Sequence, residues 1–332
     1  MLDDKAAWSR TKSSVGLAPE IVGRLVSTAF PQGRVVDVQV LQGGLSNSIF
    51  KVRLDSFDEP FVLRVYDRDP SACRKEVDLL RLVRRTVPVP EVIHAEPDGI
   101  GGVGPFVLMR YVEGITFRKL KEAGDARAIG EAARSVGETL AAIGLYSFPN
   151  PGRLRDGPEV CGKFIEGPDT VPRFVDACLD SPCLKSRMGD ELRGRLREFV
   201  WGWASRLAGL DEERSLVHGD FNSPNILVRT VEGKWAVAAV LDWEFALSGS
   251  TLFDIGNFLR YERAARPLRE PHFSEGYAQG GGTLPEDWRR LARVIDLTSL
   301  CEFLTREELP DDIVSEVLDL IRATIEDRDP MR

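Results

Sequence analysis

Three side chains that carry oxygen ligands follow one another in the C-terminal half of the chain. Asp220 lies in a polar loop between two apolar runs, Asn225 follows it after five residues, and Asp242 ends a further apolar run seventeen residues later. A protein that moves a phosphoryl group must mainly position an acceptor hydroxyl and hold a divalent metal ion against the phosphate oxygens. Asp220 could orient the hydroxyl or accept its proton, and Asn225 and Asp242 offer the hard oxygens that Mg²⁺ prefers. The spacing therefore predicts a phosphoryl-transfer site.

The residues around these three make the prediction more specific. The triplet His-Gly-Asp at 218–220, with Asn225 after it and the triplet Asp-Trp-Glu at 242–244, resembles the aminoglycoside phosphotransferase family of kinase-like enzymes. The resemblance implies that Asp220 is catalytic and that Asn225 and Asp242 bind magnesium. It also implies an α+β, two-lobed protein-kinase-like fold, with an antiparallel sheet and a helix in the N-terminal lobe and a larger, mainly helical C-terminal lobe. The alternative is a strand-turn-strand unit whose Asp and Asn residues only close the turn.

Length and charge limit the classes of function. The 332 residues can form one large domain or two lobes, and either can bury a substantial core. A formal net charge of −8 argues against a nucleic-acid-binding protein and is compatible with a cationic substrate.

Cysteine spacing and the apolar runs predict the compartment. The five cysteines include no CxxC pair, which argues against zinc binding and suits reduced thiols. The first residues carry charges instead of an apolar signal core, and no apolar run approaches the length of a membrane span. We therefore expect a cytoplasmic protein with no membrane partner.

The N-terminal part alternates between helical and strand-like patterns. Apolar residues recur at helical spacing over residues 15–30 and again over residues 71–84, and Pro88 and Pro90 then begin an extended link. Strand-like runs, which predict an antiparallel sheet, cover residues 34–40, 48–54, 61–66 and 106–112. We place a nucleotide-binding lobe at residues 1–113 and a second lobe, with the catalytic loop and the acceptor pocket, at residues 114–332.

A glycine pair lies between the first two predicted strands. Gly43 and Gly44 allow the backbone to approach a phosphate closely, and Ser46 and the neighbouring amides can donate to its oxygens. Taken alone, the pair suits an ordinary hairpin turn, but in the kinase order of elements such a hairpin covers the nucleotide. No GxxxxGK[ST] motif is present, so the chain is not a P-loop enzyme.

Further residues of this part match nucleotide-binding positions of kinases. Arg64, on the third predicted strand, stands where kinases place the lysine that contacts the α- and β-phosphates. Glu76 resembles the helix glutamate that pairs with this cation. The fourth run leads into a hinge whose backbone at Arg110 and Val112 is expected to bind the adenine edge.

The C-terminal part is predicted to be mainly helical. We expect an irregular insertion at residues 147–170, helices near residues 171–180 and 191–207, and Asp254 as the cap of a helix and an acceptor for amides of the catalytic loop. His218 is expected to hold that loop, and it is also the rival general base to Asp220. Residues 301–332 hold ten acids against four arginines, a bias that suits an acceptor wall for ammonium groups.

Together these features predict an ATP- and Mg²⁺-dependent O-phosphotransferase that acts on a hydroxyl of a small molecule, with an aminoglycoside-like cation as the expected acceptor. The interval between Asp242 and Asp254 has no room for a long activation segment, which disfavours a regulated protein kinase. The alternatives are a metabolite kinase of a sister family, acting on homoserine, a choline-like amino alcohol or a sugar derivative, and a non-catalytic nucleotide-binding protein. The oligomeric state and the choice between ATP and GTP stay open.

Overall fold

The computed structural model describes residues 17–41, 48–67, 69–263 and 266–326. Its α-helices are α1 (Pro19–Ser27), α2 (Ala72–Val83), α3 (Phe117–Ala123), α4 (Ala126–Gly144), α5 (Thr170–Leu179), α6 (Pro182–Arg187), α7 (Asp190–Gly202), α8 (Ala204–Leu207), α9 (Leu252–Leu259), α10 (His272–Gln279), α11 (Trp288–Leu304) and α12 (Asp311–Ile325). Its strands are β1 (Val35–Val40), β2 (Ser48–Leu54), β3 (Phe61–Val65), β4 (Val92–Glu96), β5 (Phe106–Arg110), β6 (Ile115–Thr116), β7 (Gly152–Arg155), β8 (Glu159–Gly162), β9 (Ser215–Val217), β10 (Ile226–Val231), β11 (Lys234–Val240) and β12 (Leu247–Gly249).

The N-terminal part forms an antiparallel sheet with the strand order β1-β2-β3-β5-β4. The four predicted strands and the two predicted helices are confirmed, with ends that shift by a few residues. Strand β4 is a correction, because the stretch after Pro88 and Pro90 was expected to be only an extended link. Extended backbone is what a strand needs, and β5 offers it a pairing edge.

Two hydrophobic cores lie on the two sides of this sheet. The smaller core joins α1 to one face of the sheet, for example Leu25 to Leu63 and Phe106. The larger core continues from the apolar side of α2 into the C-terminal elements, so that Leu79 belongs to the same cluster as Leu140. Val107 and Met109 of β5 belong to this cluster too, so helix α2 packs between the N-terminal sheet and the C-terminal elements.

The C-terminal part carries the strands that frame the predicted catalytic loop, residues 218–225. Strands β10 and β11 pair as a hairpin beside β6, and β9 lies next to β12 in a second small sheet. The predicted helices near residues 171–180 and 191–207 are confirmed as α5 and as α7 with α8. The insertion at residues 147–170 was expected to be irregular, but it contains the hairpin β7–β8, which joins the second sheet through β12.

None of the helices in the described ranges is long and apolar enough to cross a membrane. The division of the chain between residues 113 and 114 stays a prediction. It lies directly before β6, the short strand that pairs with β10.

Candidate active site

The catalytic loop joins β9 to β10 and gathers the predicted residues around Asp220. The side-chain nitrogen of Asn225 lies 2.9 Å from the main-chain oxygen of Asp220 and 2.9 Å from its Oδ2. Asn222 donates from its own side-chain nitrogen to Oδ1 of Asp220. Two amide donors thus orient the carboxylate. Because Nδ2 of Asn225 points to Asp220, its Oδ1 is the atom left to face a metal ion.

A buried carboxylate holds the start of this loop. The backbone N–H groups of His218 and Gly219 donate to Asp254 at 2.7 and 2.9 Å. Burial raises the pKa of Asp254 to about 7, against the two N–H donors, which favour the ionised form. The expected contact with the loop amides is present, but Asp254 does not cap its helix. Thr251 occupies the N-cap position, and Asp254 lies in the first turn of α9.

His218 is fully buried, and both of its ring nitrogens have partners. Nδ1 accepts from the backbone N–H of Asp220 at 3.2 Å, and Nε2 lies 3.0 Å from the carbonyl oxygen of Leu241. These bonds select the neutral tautomer with the proton on Nε2. Burial lowers the pKa of His218, which also favours the neutral ring. The geometry leaves His218 no lone pair with which to take a proton from a substrate.

Gly219 brings the loop against the turn that follows Asp242. Its φ is +83°, and a Cβ atom at this position would lie 2.3 Å from the carbonyl oxygen of Phe245. Only glycine combines this backbone conformation with such a close approach. The two segments that carry Asp220 and Asp242 are therefore in direct backbone contact.

Asp242 follows β11 and leads into the buried Trp243. The N–H of Leu241 donates to the carbonyl oxygen of Asn225 at 2.8 Å, which ties the two predicted metal ligands together through the backbone. Asp242 itself has a left-handed backbone with φ 68°, and 28% of its side chain is exposed, so that solvent reaches the carboxylate. Trp243 is fully buried, and its ring meets that of His218 edge to face at 4.7 Å.

Arg64 connects the N-terminal sheet to this turn. Its Nη1 lies 3.1 Å from Glu76, and its Nη2 lies 2.7 Å from Asp242 and 3.1 Å from Glu244. Burial opposes the charge of Arg64, but the carboxylates of Asp242 and Glu76 outweigh it and raise the pKa of Arg64 well above its usual value. The structure thus brings together residues that lie 178 positions apart in the sequence.

Glu76 is the second anchor of this network. It is buried, and besides Arg64 it accepts from the hydroxyl of Tyr66 and from the backbone N–H of Trp243 at 3.2 Å. Sequence reasoning gave Tyr66 no function, although alternation along β3 puts it on the same face as Arg64. This alternation of side chains along β3 is the sequence signal that could have placed Tyr66 in the network. The network clamps the turn after Asp242 onto helix α2.

The structure gives less information on the other residues predicted to contact the nucleotide. Gly43, Gly44 and Ser46 lie outside the described residues. Arg110 ends β5, and its backbone N–H donates to the carbonyl oxygen of Glu91 at 2.9 Å, so it is engaged inside the sheet. Val112 follows two residues later, beyond the strand.

Sequence reasoning also missed Arg269. This arginine is fully buried, donates to the hydroxyl of Ser223 in the catalytic loop at 3.1 Å, and lies 5.0 Å from the ring centre of Phe258. A single arginine in a loop gives no local signal of burial. It supports the far end of the catalytic loop from the side of α9.

Asn225 and Asp242 are chemically suited to a magnesium ion. Mg²⁺ commonly takes one or two protein oxygens and completes its octahedron with water and phosphate. An amide oxygen and a carboxylate joined by the Leu241 backbone match that donor set. Across the described ranges, no group of three or more His, Cys, Asp or Glu side chains is arranged to hold a metal ion.

Comparison with known proteins identifies the family. The model of the phosphotransferase enzyme family matches residues 37–294. The chain belongs to the phosphotransferase enzyme family. The match includes Arg64, Glu76 and the whole predicted catalytic loop, so the family recognised from the two triplets is confirmed.

Solved structures of other proteins show the fold of this chain. Aminoglycoside phosphotransferase APH(4)-Ia superposes with a TM-score of 0.69 at 19% identity, over 93% of this chain and 98% of that one. Wild-type aminoglycoside 2'-phosphotransferase-IIIa gives a TM-score of 0.68 at 16% identity, over 93% and 99%. The predicted two-lobed, kinase-like α+β fold is confirmed.

One curated relative is much longer than this chain. Acyl-CoA dehydrogenase family member 11 of Gallus gallus is 29% identical over 245 residues, which make up 68% of this chain. The chain spans 28% of the length of that relative.

Proposed function

We propose that this phosphotransferase moves the γ-phosphate of ATP, bound with Mg²⁺, to a hydroxyl group of a small molecule. The observation that carries the proposal is the convergence of Arg64, Asp220, Asn225 and Asp242 at one site, through the bonds described above. These side chains are the minimal set for phosphoryl transfer, namely a phosphate-binding cation, a residue that positions the nucleophile, and two oxygen ligands for a metal ion.

Each residue has a defined task in this proposal. Asp220, oriented by Asn222 and Asn225, takes the hydrogen bond of the acceptor hydroxyl, aims its oxygen at the phosphate and receives its proton. Asn225 and Asp242 hold the magnesium ion, which when bound neutralises charge on the phosphate oxygens. His218 is assigned to holding the loop, because both of its ring nitrogens are engaged.

The nucleotide is assigned to the cleft beside the sheet. Arg64, oriented by Glu76, binds the α- and β-phosphates. Because the N–H of Arg110 is used within the sheet, its carbonyl oxygen is the group offered to adenine, and Val112 offers its N–H. Gly43, Gly44 and Ser46 are proposed as the lid over the phosphates.

An aminoglycoside-like cation is the first candidate acceptor. The net charge of −8 favours a cationic ligand. One of the similar solved structures is a ternary complex of APH(4)-Ia with AMP-PNP and hygromycin B, and another is a complex of an aminoglycoside phosphotransferase with GDP and kanamycin. Among the acidic residues of the C-terminal segment 301–332, Glu316 accepts a hydrogen bond from the hydroxyl of Tyr261 at 2.6 Å, and Tyr261 lines a cavity with Asn222 and Ser223 of the predicted catalytic loop. Glu302 instead pairs with Arg306.

A second candidate acceptor is a hydroxylated metabolite. The similarity to a part of acyl-CoA dehydrogenase family member 11 adds hydroxyacyl thioesters to the candidates of the sister families, which are homoserine, choline-like amino alcohols and sugar derivatives. A non-catalytic nucleotide-binding role is disfavoured because the proposed catalytic carboxylate and both proposed metal ligands are present.

The test is ADP release by the purified protein with MgATP or MgGTP, across a panel of aminoglycosides and these metabolites. We expect Asp220→Asn to lower turnover by about 10²–10⁴-fold. Its stabilisation by MgADP in a thermal-shift titration should stay close to that of the wild type, because Asp220 does not contact the nucleotide in this proposal. Asp319→Asn, on the exposed side of α12, is the matched control. Undiminished turnover in Asp220→Asn would show that Asp220 is not the catalytic residue.

A further inference from the structure

Glu244 ends the Asp-Trp-Glu triplet and has no task in the reaction proposed above. Only 9% of its side chain is exposed. Its Oε2 lies 3.1 Å from Nη2 of Arg64, and the same nitrogen lies 2.7 Å from Oδ1 of Asp242. One guanidinium nitrogen is therefore shared between the proposed metal ligand and a second carboxylate, that of Glu244.

The backbone around Glu244 keeps this carboxylate in place. Lys75 of α2 donates from its ammonium group to the main-chain oxygen of Glu244, and the N–H of Trp243 donates to Glu76. Both anchors belong to α2, which is part of the larger core. Glu244 is thus held beside Arg64 by a rigid element.

Metal binding creates a conflict at Asp242. A divalent cation on this carboxylate repels a guanidinium that lies 2.7 Å from one of its oxygens. Arg64 cannot turn to bulk water, because only 6% of its side chain is exposed. Its Nη1 is already bonded to Glu76, so Nη2 needs a partner other than Asp242.

We propose that Glu244 is a positioning residue that retains Nη2 of Arg64 when Asp242 turns to the magnesium ion. The inference rests on the proposed function, since it concerns the same metal and nucleotide. Glu244 also adds negative charge close to the metal, so that it strengthens metal binding while it opposes a nucleotide that arrives without metal. The chain thereby couples the two ligands, because each binds better when the other is present.

The geometry also explains why arginine occupies this position. Arginine presents two separate terminal nitrogens, one for Glu76 and one for the pair formed by Asp242 and Glu244. Lysine has a single nitrogen at the end of its side chain and cannot reach both sides in the same way. The role proposed for Glu244 therefore depends on an arginine at position 64.

The experiment measures nucleotide and metal binding without turnover. Wild type, Glu244→Gln and Glu244→Asp are titrated with ADP in the presence of a chelator, and Mn²⁺ binding to the ADP complexes is followed by the loss of the electron paramagnetic resonance signal of the free ion. Glu159→Gln is the matched control, because Glu159 also pairs with an arginine but is 62% exposed.

We expect Glu244→Gln to weaken Mn²⁺ binding to the ADP complex by roughly tenfold, while metal-free ADP binds as well as to wild type or more tightly. Glu244→Asp, which keeps the charge, should recover part of the metal affinity. An equal loss of affinity for metal-free ADP and for Mn²⁺ would indicate a structural role only, and an unchanged Mn²⁺ affinity would also refute the inference.

A structure of the wild-type protein with MgADP gives a test that does not depend on the variants. The contact between Arg64 and Asp242 should open, while that between Arg64 and Glu244 persists. The opposite pattern would overturn the inference but leave the proposed function intact. A wild-type protein that binds no nucleotide would overturn both.

Discussion

Replacing Gly219 by alanine tests whether the contact between the catalytic loop and the turn after Asp242 sets the geometry of the site. The new methyl group would lie 2.3 Å from the carbonyl oxygen of Phe245, and ordinary contact begins at 3.4 Å, so the two backbones must separate by about 1.1 Å. The left-handed backbone, with φ +83°, adds about 1–2 kcal/mol of strain. A displacement of this size between catalytic groups can lower a rate by about 10²-fold. We therefore expect Gly219→Ala to lose about two orders of magnitude in kcat and at least 1–2 kcal/mol of stability.

The assay compares kcat for ADP release and the free energy of unfolding in urea for the wild type, Gly219→Ala and Gly194→Ala. Gly194 lies in the exposed interior of α7, and a Cβ there would have no atom within 4 Å. Alanine at that position should keep full activity and stabilise the protein by about 0.5–1 kcal/mol. If Gly219→Ala retains wild-type kcat, the close backbone contact does not control the relative positions of Asp220 and Asp242.

Three further predictions concern two buried carboxylates, Asp254 and Asp296. The side chain of Asp254→Asn offers one acceptor oxygen, whereas the N–H groups of His218 and Gly219 need two. We therefore expect this variant to lower the free energy of unfolding in urea by about 1–3 kcal/mol. A change below about 0.5 kcal/mol would contradict this expectation. Because the folded pKa of Asp254, about 7, exceeds its ordinary 3.8, protonation stabilises the fold. The stabilisation by this proton should be complete below about pH 4 and lost as the pH rises to 7, so that the free energy of unfolding falls by up to about 1.4 kcal/mol per pH unit. Asp254→Asn should abolish this dependence on pH. An equal dependence in both proteins would refute the raised pKa of Asp254. Asp296→Asn removes the negative charge that pairs with the buried Arg260 at 2.6 Å. We expect it to lower the free energy of unfolding by about 3–5 kcal/mol in the same assay. An unchanged free energy of unfolding would show that the ion pair is dispensable.

Local sequence patterns were sufficient for most of the secondary structure. Strand β2 occupies residues 48–54, as the alternation of apolar residues predicts, and α2 lies within the predicted residues 71–84. The catalytic loop was predictable because its chemistry depends on residues a few positions apart. Asp220 and Asn225 are held together by two hydrogen bonds within the loop itself.

Pairings between distant segments could not be read from local patterns. Strand β4 follows Pro88 and Pro90, which end a helical pattern but do not show that the next residues pair with β5. The hairpin β7–β8 was hidden by its glycines and prolines, and it depends on β12 for its place in a sheet. Glu244 lies 180 residues from Arg64, and only the folded chain shows that they meet.

The position of α2 determines how the N-terminal sheet and the C-terminal elements are held together at the site. The larger core that contains the apolar side of α2 also contains Val107 of β5 and Leu140 of α4, so the helix packs against both parts. Arg64 adds polar contacts at the same place, because it joins β3 to Glu76 of α2 and to Asp242 beyond β11. The helix and the arginine therefore connect the same two parts of the chain, one through apolar packing and the other through ion pairs.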